Sequence, residues 1–345
     1  MAKMKELGYD INTLIRVPGL FYNKEKQSIN FKSYRNKSFI CIPIKDENGK
    51  IRGIQLRADK VDEKQSRYIW MSSSKLDEKK FLGNLSPNSP IDVVYPKSTD
   101  PKTIAITEGH FKAIKIAKTL NFISLSVQGV NNWKHILPTI NALKIKYPNI
   151  NNVVIMYDAD MAYKIPVLQS AIAVGINIIK YDINDINYIN YMRGFKVKTN
   201  KDGTFNFKFN KDNNKEIITL NEFIQARNSF ITSLRQFNNF IDVKVCVWDY
   251  NYGKGFDDFI INTNNLDGLI YLPLSEFMYK LSLILEDLLG CDKVTQNDLF
   301  NLFKEYFLSD YIDLEISIKS NKENSKLEDK NVELDKKGGL EIVHF

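Results

Sequence analysis

Short apolar runs that end in carboxylates organise the middle of this chain. Thr103-Ile-Ala-Ile-Thr107 is followed by Glu108 and Gly109, and Val153-Val-Ile-Met156 by Tyr157, Asp158, Ala159 and Asp160. Runs this short, β-branched and almost uncharged predict strands buried on both faces. After Gly109 the apolar positions Phe111, Ile114, Ile116, Ala117 and Leu120 recur at helical spacing. Between the two runs, Phe122-Ile-Ser-Leu-Ser-Val-Gln-Gly129 predicts another strand closed by a glycine turn, and a helix follows from about Trp133 to Ile145. Strand and helix alternate, so a parallel sheet with right-handed crossovers is expected. Ligands bind such sheets at the carboxyl rim of the strands. That rim is where Glu108, Asp158 and Asp160 should meet.

The flanking pattern is looser. Residues 1–34 are a mixed preface, with Ile15-Arg-Val-Pro-Gly19 as a turn after a short helix, and Ile51–Arg57 predicts a strand. Phe195-Lys-Val-Lys198 and Phe205-Asn-Phe-Lys-Phe209 alternate around Asn200-Lys-Asp-Gly203, which predicts a β-hairpin inside an insertion at about 181–218. That hairpin either clamps nucleic acid through Lys196, Lys198, Lys201 and Lys208 or is a decoration with charged edges. A helix is expected from Leu220 to about Phe237. Ile241-Asp-Val-Lys-Val-Cys-Val-Trp248 then alternates as a strand and leads to Asp257, Asp258 and Phe259-Ile-Ile261. Amphipathic helices are expected over Ser275–Leu289 and Gln296–Leu308, the second with Thr295 as N-cap and Asp298 at N3. From about Ser320 to Lys337 almost no apolar residue occurs, which predicts disorder, and Ile342, Val343 and Phe345 form an apolar tip.

The carboxylates carry the candidate chemistry, and each has a plainer reading. Asp158 and Asp160 converge on one hard cation or are solvated turn residues. Glu108 joins them or simply favours a helix N-terminus. Asp257 and Asp258 supply a further metal ligand or cap a short helix. Glu108 and the Asp pair follow two strands in the order that brings them to one rim, which favours the metal site.

On these residues the chain resembles the TOPRIM fold shared by bacterial primases, topoisomerases and some nucleases. The matching segments are Thr107-Glu-Gly109, Asp158-Ala-Asp160 and Lys254-Gly-Phe-Asp-Asp258. Upstream, the segment from Phe39 to Arg57 and then Arg67-Tyr-Ile-Trp-Met-Ser-Ser-Ser74 resemble the bacterial primase core that precedes TOPRIM, and Ser86–Val93 and Gln128–Trp133 have counterparts in primase-like proteins of plasmids and phages. The resemblance covers roughly residues 35–262. It implies an α/β fold: a TOPRIM (Rossmann-like parallel sheet) domain at 99–262 after a smaller basic α+β domain at 1–98. Beyond it, the residue pattern itself predicts C-terminal helices at 263–319 and a disordered tail at 320–345.

The resemblance also implies roles. Glu108, Asp158 and Asp160 would be catalytic and metal-binding, and Asp257 or Asp258 would be the last acidic ligand. Arg52, Arg57, Arg67 and Lys254 would bind nucleotide or template. Mg²⁺ or Mn²⁺ would be the cofactor. The implied activity is synthesis of short RNA primers on single-stranded DNA from NTPs by two-metal nucleotidyl transfer, in plasmid or phage replication. Two alternatives stand beside it: a TOPRIM metal-dependent nuclease, and an inactive nucleic-acid-binding replication adaptor. One departure from the family is Met161-Ala-Tyr-Lys-Ile-Pro166, where small residues are usual after the second Asp.

Charge fits a nucleic-acid enzyme. The 345-residue chain has net charge +7, and its first 100 residues hold 19 Lys and Arg against 12 Asp and Glu, so the excess lies there. A basic lobe beside an acidic catalytic sheet would hold phosphates on one side and metal on the other. The plain reading is a Lys-rich soluble surface. Aromatics interleave with the bases at Phe31, Tyr34, Phe39, Tyr68 and Trp70, as core residues or as stacking surfaces for bases. Cys41, Cys246 and Cys291 are far apart and only three histidines occur, so no zinc site is expected. No P-loop motif occurs, which points to a separate replicative helicase or zinc-module protein as partner. Without an apolar run of spanning length or a signal core, a cytoplasmic protein away from membranes is expected.

Overall fold

The computed structural model describes residues 10–31, 38–60, 66–129, 132, 135–179, 195–199, 205–211, 216–217, 220–236, 241–288, 291 and 293–309. The expected tail, its apolar tip, the hairpin turn and Trp133 lie outside these residues.

The N-terminal part is built from small antiparallel sheets. After α1 (Ile11–Leu14), β1 (Leu20–Asn23) pairs with β2 (Ser28–Phe31). β3 (Phe39–Lys45), β4 (Ile51–Ala58) and β5 (Tyr68–Trp70) form a second sheet with β4 in the centre. Asp46 makes the β3–β4 turn by accepting from the backbone N–H groups of Asn48 and Lys50, both at 2.9 Å. Such side-chain bonds to the local backbone are what Asp contributes to turns. β6 (Phe81–Leu82) adds to the other edge of β1.

The main sheet begins with β7 (Asp92–Val94) and β8 (Thr103–Thr107), followed by α2 (His110–Leu120), β9 (Ile123–Ser126), α3 (Ile136–Lys146) and β10 (Asn152–Ile155). A 3₁₀ turn, Ala159–Ala162, leads into α4 (Ile165–Ile179). Next come β11 (Phe195–Thr199) and β12 (Phe205–Lys211), antiparallel with Phe195 opposite Phe209 as the alternation predicts, and β13 (Glu216–Ile217). α5 (Leu220–Gln236), β14 (Asp242–Val247), α6 (Phe256–Thr263), β15 (Ile270–Pro273) and α7 (Leu274–Leu288) complete the body, followed by α8 over residues 296–309. Thr295 and Asp298 cap α8 reciprocally: Asp298 N–H donates to Thr295 Oγ1 at 3.1 Å, and Thr295 N–H to Asp298 Oδ2 at 2.8 Å.

Six strands form the main sheet in the order β15-β14-β10-β8-β9-β7. The inner four are parallel, and β15 and β7 close the edges antiparallel. Both faces are buried, so alternate residues serve different cores. Ile104, Ile106, Val153 and Ile155 pack with Ile140 of α3, Ala171 of α4 and Phe277 of α7. Ala105 and Val154 pack on the opposite face with Ile116 of α2 and Phe256 and Phe259 of α6. Each fully buried Val, Ile or Phe contributes about 1.5–3 kcal/mol, which lets the rim carry buried charge. The sheet is therefore the mixed α/β arrangement expected, with adjacent β8 and β10 sending their carboxyl ends to the same rim. No helix among the described residues is long and apolar enough to cross a membrane.

Candidate active site

Glu108 stands one residue beyond β8 and Asp158 three beyond β10, on neighbouring parallel strands in register from Asn152↔Thr103 to Ile155↔Ile106. The 3₁₀ turn then swings Asp160 back beside Asp158: the backbone N–H groups of Tyr163 and Lys164 donate to Asp160 O at 3.1 and 2.8 Å. Of the segment Met161-Ala-Tyr-Lys-Ile-Pro166, Met161 and Ala162 are buried within this turn. One carboxylate oxygen from each of Glu108, Asp158 and Asp160 lies within 4.8 Å of the others. Asp158 and Asp160 are 3% and 2% exposed.

Burial at this density sets the protonation. Desolvation, reinforced by the neighbouring charges of Asp158 and Asp160, pushes the Glu108 carboxyl up to about 7. Desolvation also raises Asp158, against the opposing pull of Lys112. Three ammonium groups offset the negative charge. Lys112 donates to Asp158 Oδ1 and stands 4.0 Å from Glu108 Oε2. Lys164 reaches Asp160 Oδ2 at 2.6 Å, and Lys254 reaches the same oxygen at 2.9 Å and Asp158 Oδ2 at 3.8 Å. The hydrogen bond to Asp160 holds the Lys254 ammonium well above its ordinary value. Lys254 is also fixed through its backbone, because its carbonyl accepts from Ala159 N–H at 2.8 Å, tying the two acidic loops together.

The donor set suits a hard divalent cation. All three groups are carboxylates, the ligands that Mg²⁺ and Mn²⁺ favour. Glu108 Oε1 is buried with no hydrogen-bond partner, which is an oxygen left to be satisfied. Against this, three lysines already balance three carboxylates, so a cation must displace at least one ammonium. Lys112 and Lys254, with side chains 22% and 46% exposed, have room to leave.

Asp257 and Asp258 sit nearby with separate roles. Asp258 Oδ2 accepts from Gly255 N–H at 3.2 Å and caps α6. Both line the same cavity as Glu108 and Asp158, and Asp257 Oδ1 is buried there without a partner. Neither belongs to the cluster of three. The loop before them needs glycine: Gly253 has φ +142°, and a Cβ there would lie 2.5 Å from Phe259 N.

A cavity of about 740 Å³ opens in front of the carboxylates. Its far wall is the β3–β4–β5 sheet, from which Arg57 and Arg67 line it. Arg52 is placed elsewhere: its Nε donates to Asp46 Oδ2 at 2.7 Å, and it does not line the cavity. Asp92, at the antiparallel edge strand β7, joins the two walls. Its Oδ1 accepts from Lys45 N–H of β3 at 3.0 Å, and its Oδ2 lies 2.6 Å from His110 Nδ1 at the start of α2. Asp92 is 1% exposed, so these bonds have little competition from water.

Lys112, Lys164, Asp92 and His110 are absent from the residues that the sequence singles out. The two lysines had a signal, since each follows its acid by four residues, the spacing of helical ion pairs. The Asp92–His110 bond had none, because it depends on an edge strand whose pairing with β9 is not written in either segment.

No family model matches the chain, and no curated protein matches it. Several solved structures are similar in fold. They include the E. coli primase catalytic core, at 12% identity over 88% of this chain and 79% of that one with a TM-score of 0.34. A DNA primase domain from Pseudomonas aeruginosa shares 11% identity over 82% of this chain and 66% of its own, with a TM-score of 0.33. The Aquifex aeolicus primase, comprising zinc-binding and RNA polymerase domains, shares 16% over 49% of this chain, with a TM-score of 0.28. The chain spans only 40% of that last structure and 66% of the one before it.

Proposed function

We propose that the protein is a metal-dependent nucleotidyltransferase of the primase type, joining NTPs into short RNA primers on single-stranded DNA. The observation that carries this reading is the facing arrangement in one cavity. Glu108 and Asp158 stand on the rim of the parallel sheet, and Arg57 and Arg67 stand on the wall opposite. A phosphodiester or triphosphate between them would meet cations on both sides, as phosphoryl transfer requires.

Glu108, Asp158 and Asp160 would hold the cation, Mg²⁺ or Mn²⁺, with Asp257 as an outer acidic neighbour. When bound, the cation neutralises charge on the transferred phosphoryl group and its leaving pyrophosphate. Lys112 and Lys254, once released from the carboxylates, would turn their ammonium groups to phosphate oxygens. Arg57 and Arg67 would orient the triphosphate or template backbone through fixed, multidentate donors. Arg52, occupied by Asp46, would add only long-range charge. In this reading a separate replicative helicase or zinc-module protein supplies duplex opening or start selection, and the work is cytoplasmic replication of a plasmid or phage.

The test is direct. Incubate the protein with single-stranded DNA, labelled NTPs and Mg²⁺ or Mn²⁺. Short RNA products support the proposal. Cut DNA without new strands would favour the nuclease reading of the same carboxylates, and binding without either product would favour a nucleic-acid adaptor.

A further inference from the structure

The cavity wall facing the carboxylates carries apolar surface that phosphate chemistry leaves unused. Ile40, Arg57 and Tyr68 lie abreast across β3, β4 and β5, because Ile40 pairs with Arg57 and Arg57 with Tyr68. Directly opposed residues on antiparallel strands share a face. Ile42 and Ile44, on the same face of β3 as Ile40, are 2% and 0% exposed, whereas Ile40 is 46% exposed. The cover therefore ends at Ile40, where the cavity begins. From the other wall Phe111, in the first turn of α2, is 41% exposed. The Arg57 guanidinium carbon lies 5.7 Å from its ring centroid, and Arg57 Nε is buried with no hydrogen-bond partner.

An exposed phenyl ring, a guanidinium against it and a tyrosine beside that guanidinium make flat, π-rich surface next to the donors that would hold phosphate. A nucleobase matches it. Every base has a π-face for aromatic stacking, and arginine adds a cation–π contribution. A base also offers ring nitrogens and carbonyl oxygens that can accept from Arg57 Nε. We propose that Phe111, with Arg57 and Tyr68, forms a stacking platform for the nucleobase of a nucleotide whose phosphates approach the Glu108–Asp158–Asp160 cluster. This inference rests on the nucleotide-binding reading above and specifies where the base lies.

The experiment separates base from phosphate. Calorimetry with Ca²⁺ present measures binding of ATP and of inorganic tripolyphosphate to the full chain, for wild type, Phe111→Ala and Phe111→Trp, with circular dichroism to verify folding. Because Phe111 is exposed, the alanine variant should fold. Wild type should bind ATP more tightly than tripolyphosphate. Phe111→Ala should weaken ATP by roughly 5- to 150-fold, the range expected for one lost base stack, and leave tripolyphosphate within about twofold. Phe111→Trp should restore ATP affinity, and its added indole fluorescence should be quenched by ATP and not by tripolyphosphate. A second arm compares a thymidine tetranucleotide with its abasic counterpart. A base-dependent loss in the ATP arm assigns the platform to the incoming nucleotide, and one in the oligonucleotide arm to the strand. Equal wild-type affinity for ATP and tripolyphosphate, with no base dependence in the oligonucleotide arm, overturns the platform and leaves the proposed function standing. The platform is likewise overturned if Phe111→Ala lowers the ATP and tripolyphosphate affinities equally, or lowers neither of them and leaves the base dependence of the oligonucleotide arm unchanged. Absence of binding by any of these ligands overturns both.

Discussion

Lys112 donates to Asp158 from the helix that begins just after Glu108, and so places an ammonium group inside the cluster where a cation is expected. In a site whose carboxylates are this buried, such a built-in counter-ion removes much of the repulsion between Glu108 and Asp158 before any metal arrives. It also competes with the metal that would replace it.

The first prediction follows from that competition. Lys112→Met keeps the length and apolar stem of the side chain and deletes the charge. Without divalent ions the variant should lose about 1–3 kcal/mol of stability, since one partner of a largely buried pair is removed while the lysine end is partly solvated. Mn²⁺ should bind more tightly than to wild type and raise the melting temperature by more. Melting curves with and without Mn²⁺ decide it. A smaller metal-induced shift than in wild type would show that Lys112 assists metal binding.

The second concerns Asp158 and Asp160 together. Asp158→Asn with Asp160→Asn should abolish nucleotide transfer with the fold intact, because the ligands are lost while their volume is kept. Lys164 and Lys254 lose their carboxylate partners and Lys112 keeps only Glu108, all three partly exposed, so single-stranded DNA should bind equally or more tightly. Unchanged turnover would remove these residues from the chemistry.

The third uses Glu108. Its carboxyl is raised from 4.5 to about 7, first by desolvation. The folded state thus holds the proton more tightly than the unfolded chain. Stability from this group is present in full below pH about 4.5 and is lost as pH rises through about 7. The loss is at most about 3 kcal/mol, at 1.36 kcal/mol per pKa unit. In a chelator, denaturant midpoints should fall over that window for wild type, and Glu108→Gln should flatten the fall. Superimposable pH profiles for the two proteins would contradict the assignment.

Much of this site was legible because two-faced burial leaves a plain mark. Ile104, Ile106, Val153 and Ile155 are packed between layers, so their runs contain almost no polar residue, and the acids that end those runs stand out. Lys254 beside Asp160 was not legible as an ion pair, because the contact depends on how the loop after β14 folds over the 3₁₀ turn. The sequence offered Asp257 and Asp258 equally. Both line the cavity, and hydrogen bonding separates them: Asp258 caps α6 through Gly255 N–H, while Asp257 Oδ1 is buried without a partner. Phe111 read as a core position of an amphipathic helix. It lies at the helix start, beyond the edge of the packed face, and is exposed there.

The fourth prediction separates two arginines on one strand. Residues five apart on a regular strand point to opposite faces, but the β3–β4 register slips between Ile44 and Lys45 and leaves Arg52 unpaired, so alternation alone does not assign either arginine to the cavity. In the structure Arg57 lines it, while Arg52 is 58% exposed and bound to Asp46. If Arg57 meets one phosphate, Arg57→Ala should weaken single-stranded DNA binding and lower the slope of log K against log salt by about 0.7, the value for one contact on a single strand. Arg52→Ala should leave that slope near the wild-type value, because it removes a bond to the buried Asp46 and no contact with the ligand. Parallel salt titrations of the two variants compare them under identical conditions. Equal slope changes would mean that binding reads net charge and not position. A change confined to Arg52→Ala would place the nucleic acid beside Asp46, outside the cavity.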